Sequence, residues 1–220
     1  AIIDHLRVQT LIRRFAGKRI ITCGRYGEVF NPANQNFRLQ KNKPALIVAA
    51  KHDGFVLPAP PEYRVGEGRN YYFSHMLNCL YDCRYCFLQG MYRSANYVLF
   101  INYENFVDAI DAELAAVPGE PAWFNSGYDC DSLALEPVSG FVEYFLPVFA
   151  ERPAARLELR TKSTQIRSLL AREPINNVVV AFSLTPDTIA QALEHKAPPV
   201  QKRLDAMLKL QQAGWQVGIR

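Results

Sequence analysis

The chain has 220 residues, 49% of them apolar and 21% charged, the composition of an ordinary globular protein able to bury one sizeable core. A formal net charge of +4 is too mild to argue for a nucleic-acid partner, and no run approaches the roughly 18–20 apolar residues of a membrane span. The first residues lack the order of a secretion signal and five cysteines cannot all pair, so a reducing, cytoplasmic setting is expected.

The pattern divides near residue 68, into an N-terminal region (1–68) and a core (69–220). The first region carries a helical pattern over 4–15, then loops with turn residues such as Asn31-Pro-Ala-Asn-Gln and Pro58-Ala-Pro-Pro. Its basic residues, from Arg7 to Lys51, have few acids between them, which suits a phosphate backbone and equally a solvated face. Cys23 is expected to pack there as a small apolar side chain.

A strand over 71–75 then feeds the run Cys79-Leu-Tyr-Asp-Cys83-Arg-Tyr-Cys86. Three thiolates at this spacing can hold three corners of a cubane iron–sulfur cluster and leave the fourth iron open to a small molecule. Zinc usually takes two close pairs, or Cys with His, whereas Cys23 and Cys130 each stand alone. His75 is a conceivable fourth zinc ligand, but packing on its strand is the preferred reading. A cluster is favoured; zinc or unliganded thiols remain alternatives.

Next come a helix over 104–116 stopped by Pro118-Gly119, a strand over 123–125, and a helix over 139–150 capped by Ser139. A strand over 157–159, a helix over 163–172 and the apolar strand 177–182 follow. Helices over 186–194 and 199–213, the second ended by Gly214, lead to a last strand over 215–219. Strands alternating with helices predict a parallel α/β sheet that right-handed crossovers curl into a barrel, with the active site at the carboxyl ends. The chain begins without Met and stops at a strand–loop transition, so a partial (β/α)6 barrel truncated after its fifth strand is expected.

Tyr85, just before the last cysteine, completes C-x3-C-x-aromatic-C, which resembles the motif of the radical S-adenosylmethionine (SAM) superfamily. Three further blocks narrow the resemblance: Ser126-Gly-Tyr-Asp-Cys130-Asp-Ser-Leu-Ala-Leu-Glu136-Pro, Leu159-Arg-Thr-Lys162, and Phe182-Ser183-Leu with Glu194-His-Lys-Ala-Pro-Pro199 and Arg203-Leu. Together with the cysteine block they look like the spore photoproduct lyase family. That resemblance implies a [4Fe-4S] cluster that reductively cleaves SAM to a 5′-deoxyadenosyl radical, and a carbon–carbon lyase that repairs a thymine photodimer in damaged DNA. It also implies an electron donor such as flavodoxin or ferredoxin, and it leaves the oligomeric state open.

Carried onto this chain, the resemblance makes Cys79, Cys83 and Cys86 cluster ligands. Lys162, at a strand end, is assigned to the SAM carboxylate, with a solvent-facing lysine as the alternative. Ser183 is assigned to SAM, with a turn serine as the alternative. Ser126-Gly127 would let backbone approach the SAM amino group, and Tyr85 with Phe87 would shield the cluster or adenine. The family returns hydrogen to its product from a further cysteine, and an ungapped match puts Tyr128, not Cys130, at that position. Either Cys130 serves from a shifted loop, helped by Tyr128, or the final step differs; a buried structural thiol is the alternative. Two other classes stay open: a radical SAM enzyme acting on RNA, peptide or a small molecule, and a nonenzymatic iron–sulfur electron carrier.

Overall fold

The computed structural model describes residues 2–31, 33 and 36–220, so Pro32, Asn34 and Gln35 of the turn-rich loop lie outside the described residues. In chain order the elements are α1 (Leu6–Arg14), α2 (Phe37–Asn42), β1 (Leu46–Ala49), β2 (Leu57–Pro58), β3 (Arg69–Phe73), β4 (Met76–Leu77), β5 (Asp82–Cys83), α3 (Leu88–Met91), β6 (Tyr97–Phe100) and α4 (Tyr103–Ala116). Then come β7 (Ala122–Ser126), α5 (Glu136–Ser139), α6 (Phe141–Ala150), β8 (Ala155–Thr161), α7 (Arg167–Leu170), β9 (Val178–Phe182), α8 (Asp187–Leu193), β10 (Glu194–His195), α9 (Val200–Gln212) and β11 (Gln216–Ile219).

The five strands expected from sequence are β3, β7, β8, β9 and β11, and they lie side by side in that order, each parallel to the next. Short β2 adds antiparallel to the outer edge of β3. The strand before the cysteine loop begins at Arg69 and ends at Phe73, so His75 lies beyond it. One face of α6 closes the sheet: Phe141, Phe145 and Phe149, four residues apart, are fully buried, and all three rings contact Phe73. Burying each such ring stabilises the fold by about 1.5–3 kcal/mol.

Two expected helices change. Gly140, at φ 57°, divides the segment 139–150 between α5 and α6. The start of α6 is capped mainly from upstream, where the Glu136 carboxylate accepts the N–H groups of Val142 (2.8 Å) and Glu143 (3.1 Å). The segment 163–172 keeps only the short α7. Its start is diverted into side-chain turns, Ser163 N–H donating to Thr161 Oγ1 (2.8 Å) and Gln165 N–H to Ser163 Oγ (3.0 Å).

Residues from before 68 are built into the same core. β1 pairs in parallel with β6, and β4 pairs antiparallel with β6, forming a second sheet. Ile47 and Ala49 of β1 share the hydrophobic core with Phe73 and Phe106. α1 is tied on by Arg7, which donates to Ile101 O (2.8 Å), pairs with Glu104 (2.8 Å) and lies 4.6 Å from the ring centroids of Tyr103 and Tyr144. Cys23 is exposed rather than packed, because the chain over 13–25 runs across the surface without an element to cover it. Among the described residues, no helix is long and apolar enough to cross a membrane.

Candidate active site

The cysteine loop is pinned at both ends. Asn78, at φ 68°, starts it and donates from Nδ2 to the carbonyls of Ser94 (2.6 Å) and Asn96 (2.7 Å). Farther on, β5 pairs antiparallel with β10, setting Cys83 against Glu194 and Asp82 against His195. Arg84 N–H donates to Leu193 O (2.8 Å), and Lys41 pairs with Asp82 (2.5 Å). The Glu-His block is therefore a brace for the cysteine loop.

Cys79, Cys83 and Cys86 line one cavity of 770 Å³ at the carboxyl ends of the parallel strands, together with Tyr85, Gly127, Tyr128, Cys130, Lys162 and Ser183. Tyr81 N–H donates to Cys79 Sγ at 3.4 Å, and Cys86 N–H to Cys83 O at 3.0 Å. Burial pushes the Cys79 thiol well up and the Cys83 thiol to about 11, so a cationic metal centre is what would hold them as thiolates. Among the described residues, no three His, Cys, Asp or Glu side chains converge closely enough for a single ion. A cubane seats each thiolate on a different iron, and three cysteines spread around one cavity fit that donor set.

The remaining expected residues divide by environment. Lys162 follows β8 and reaches the cavity, its Nζ 3.8 Å from Glu194 and 5.7 Å from the Tyr85 ring centroid. Burial works against its charge, but Tyr85, Cys83 and Glu194 outweigh it and raise its pKa. Tyr85 donates its hydroxyl to Glu194. Ser183 follows β9, and its main chain bonds Thr161 O (2.8 Å) and Arg203 (3.1 Å). Ser126 is different: its hydroxyl is buried against Ser132 (2.7 Å) and Glu158 O (3.0 Å), and it does not line the cavity. Gly127, at φ 84°, has no room for a side chain, since a Cβ would lie 2.8 Å from Arg160 O.

Tyr128 packs among Tyr63 (4.7 Å between centroids), Tyr72 (4.4 Å) and Phe87 (5.5 Å). Cys130 is buried beside Leu11, Met76 and Leu99, with Sγ 4.0 Å from His75 Nδ1. Burial, reinforced by Cys79 and the nearby aspartates, pushes its thiol well up and keeps the S–H intact. His75 is stacked on Phe141 at 3.9 Å and buried, which lowers its pKa to about 3.

Sequence reasoning missed the polar frame that positions these groups. Asp131 accepts from Thr161 Oγ1 (2.7 Å) and from the N–H groups of Lys162 (2.6 Å), Leu133 (3.0 Å) and Ala134 (2.9 Å), tying the loop after β7 to the end of β8. Glu194 forms a buried ion pair with Arg203 and accepts from Thr185 (2.8 Å). Burial opposes its charge, but Tyr85, Arg203 and Thr185 hold its pKa below the usual value. Buried Glu158 accepts from Arg220 (2.8 Å) and, at longer range, Arg160 (3.3 Å). The signal was present: Glu158 interrupts an apolar strand, and Asp131, Glu194 and Arg203 stand inside the resemblance blocks.

A sequence profile described as "Spore photoproduct lyase" matches residues 68–220. Spore photoproduct lyase of Bacillus subtilis (strain 168) is 23% identical over 141 residues, covering 64% of this chain and 41% of that protein. The Clostridium acetobutylicum protein of the same name is 21% identical over 150 residues, covering 68% of this chain and 45% of that protein. The chain thus spans less than half the length of these curated relatives. Among solved structures, a spore photoproduct lyase double mutant with bound AdoMet and dinucleoside spore photoproduct has a TM-score of 0.86 at 16% identity, covering 99% of this chain and 64% of that one. A spore photoproduct lyase complexed with dinucleoside spore photoproduct gives 0.86 at 17% identity, with the same coverage. The structural likeness establishes a shared α/β fold. Because the profile matches more than half of its length, the chain belongs to the spore photoproduct lyase family.

Proposed function

We propose that this chain is the SAM-binding part of a radical SAM lyase that repairs a thymine photodimer in damaged DNA. One observation carries the reading: three loop cysteines share a cavity with Lys162, Ser183 and Gly127 at the carboxyl ends of the parallel strands. Cys79, Cys83 and Cys86 would hold a [4Fe-4S] cluster, which when bound with SAM supplies the 5′-deoxyadenosyl radical and draws its electron from a donor such as flavodoxin or ferredoxin. Residues 69–220 would form a partial (β/α)6 barrel as the catalytic unit, with residues 1–68 as an N-terminal region whose β1 packs into the same core. The consecutive parallel strands support that reading.

The protein's own groups bind, orient and hold hydrogen. Lys162 offers an ammonium to the SAM carboxylate, Ser183 a hydroxyl, and the Ser126–Gly127 backbone a close approach. Tyr85, donating to Glu194, keeps its ring beside Lys162. Cys130 holds a hydrogen at Sγ that burial keeps from ionising, and Tyr128 offers a phenolic one from the same cavity. The rings of Tyr63, Phe87 and Tyr128 limit water at that side.

The test uses anaerobically reconstituted intact protein with reductant, SAM and dinucleotide spore photoproduct, beside ultraviolet-damaged RNA and undamaged DNA. Release of 5′-deoxyadenosine with restored thymines is expected on the photoproduct alone. Release of 5′-deoxyadenosine without restored thymines points to another substrate, and no SAM cleavage points to an electron carrier. In the same assay, Cys130→Ala lowers the ratio of restored thymine to 5′-deoxyadenosine at least about tenfold, roughly the loss of one well-placed hydrogen-transfer group. An unchanged ratio moves the role to Tyr128.

A further inference from the structure

The proposed reaction leaves the charged cluster of Glu158, Arg160 and Arg220 unused. Glu158, Arg160 and Lys162 alternate along and just past β8 and so point to one face of the sheet. Glu158 is 2% exposed and shared by two guanidinium groups. Arg220 takes it at normal distances, Nε to Oε1 at 2.8 Å and Nη2 to Oε2 at 3.2 Å. Arg160 reaches the same oxygens only at 3.3–3.4 Å. One carboxylate cannot neutralise both, so a net positive charge remains, and the weakly held Arg160 keeps donors for another acceptor. Both arginines line the cavity.

A buried carboxylate of this kind is weak evidence for stability, because desolvation offsets most of its attraction. It does hold two planar forks at a fixed place. The Arg160 guanidinium also lies 5.1 Å from the centroid of Tyr63, whose ring stands edge-on to Tyr128 at 4.7 Å. Tyr63 precedes the stretch matched by the family profile, residues 68–220, so this backing comes from outside it. A cation laid on an aromatic face is orientationally fixed without losing its hydrogen-bond donors.

We infer that Arg160, held by Glu158 and Tyr63, is an oxyanion subsite for the phosphodiester that links the two nucleosides of the lesion; this rests on the reading of function above. The SAM carboxylate is the competing anion, but it is better served by Lys162, which lies beside Tyr85 and under the influence of Cys83. Arg160 instead faces the tyrosine wall, where Tyr63 and Tyr128 can stack on a pyrimidine while the fork takes the two non-bridging phosphate oxygens.

The test is equilibrium binding to anaerobically reconstituted intact protein, without reductant, of two lesions: dinucleotide spore photoproduct and the dinucleoside lacking the phosphate. Wild-type protein is expected to bind the dinucleotide about tenfold more tightly, the increment of a charge-assisted pair, and to lose that preference in high salt. Arg160→Met is expected to bind both lesions alike, close to the wild-type value for the dinucleoside. Arg160→Lys is expected to retain part of the preference, which separates lost charge from lost packing should the Met variant bind neither lesion. Equal affinities for both lesions in wild type, or a preference that survives Arg160→Met, overturn the inference and leave the proposed function standing. An Arg160→Met variant that weakens SAM while keeping the preference also overturns it, by assigning the fork to the SAM carboxylate. Binding of neither lesion by wild type instead overturns the reading of function, and the inference falls with it.

Discussion

At Gly127 the backbone itself excludes every other residue. Its φ of 84° strains any L side chain, and a Cβ would meet Ser132 Oγ at 2.7 Å and the Arg160 carbonyl at 2.8 Å. The left-handed conformation costs about 1–2 kcal/mol and the overpacking about 1–3 kcal/mol more. Gly127→Ala is therefore expected to lower unfolding free energy by about 2–5 kcal/mol in urea titrations; a loss below 1 kcal/mol would mean that the loop simply moves aside. His75 is a second residue whose chemistry is set by enclosure. Its pKa falls from 6.5 to about 3 through burial, so it is neutral when folded and takes up a proton when unfolded at mildly acidic pH. The unfolded state then binds more protons, and the His75 contribution is complete above pH 6.5 and lost as the pH falls toward 3. Over the first one and a half units below that value the loss is about 2 kcal/mol. Buried Asp131 and Glu136, raised by burial, act with opposite sign, so the contrast is made with His75→Phe, which keeps the ring stack on Phe141. Urea midpoints at pH 7, 6 and 5 should fall less steeply for the variant, and parallel curves would rule His75 out.

Elements carry information between the sheet and the cysteine loop, chiefly through β10. This two-residue strand holds Cys83 opposite Glu194, and Glu194 in turn is tied to Arg203 in α9. Removing one partner of a buried pair strands the other, at about 3–5 kcal/mol. Glu194→Ala is expected to destabilise by that order and to reduce iron retained per chain after reconstitution, since the brace on the loop is lost. Full iron content with a lowered urea midpoint would confine Glu194 to the helix. The five parallel strands were legible because each is a short segment with apolar or aromatic residues that alternates with a helical pattern, and β9, a continuous apolar run, reads most cleanly. β1, β4, β5 and β10 were not. β1 is an apolar run, Leu46–Ala49, but its partner β6 lies about fifty residues on, and a pairing that distant leaves no local pattern. The other three are two residues long and exist only because a neighbour supplies the ladder. At the site, spacing alone exposed the cysteines, whereas the burial of the Ser126 hydroxyl inside the sheet, on Ser132 Oγ and the Glu158 carbonyl, depends on packing that no local pattern displays. Strand ends locate a residue and leave its side-chain direction to the packing.

The whole molecule sets a closely packed core beside a loop with little apolar cover. The core is continuous from β1 through α4, α6 and the parallel strands, with rings such as Phe73, Phe124 and Phe145 at 1% exposure or less. The cysteine loop has no comparable cover. Tyr85, Phe87 and Met91 on it are 50%, 43% and 48% exposed, and its regular pairing is the two-residue ladder between β5 and β10. Opening of such a segment need not involve the core, because few buried contacts link the two. If a cluster bridges Cys79, Cys83 and Cys86, its removal by anaerobic chelation takes away three covalent ties within eight residues and leaves burial-raised thiols in their place. Hydrogen exchange is expected to quicken at least about tenfold over 79–92 in the stripped protein, while β7, β8 and β9 keep their protection within about twofold. Loss of protection across those three strands would show that the cluster acts as a folding core. Unchanged exchange at the loop would show that the β5–β10 ladder and Asn78 already hold the cysteines in their liganding arrangement, so that the protein would present a preformed site to incoming iron.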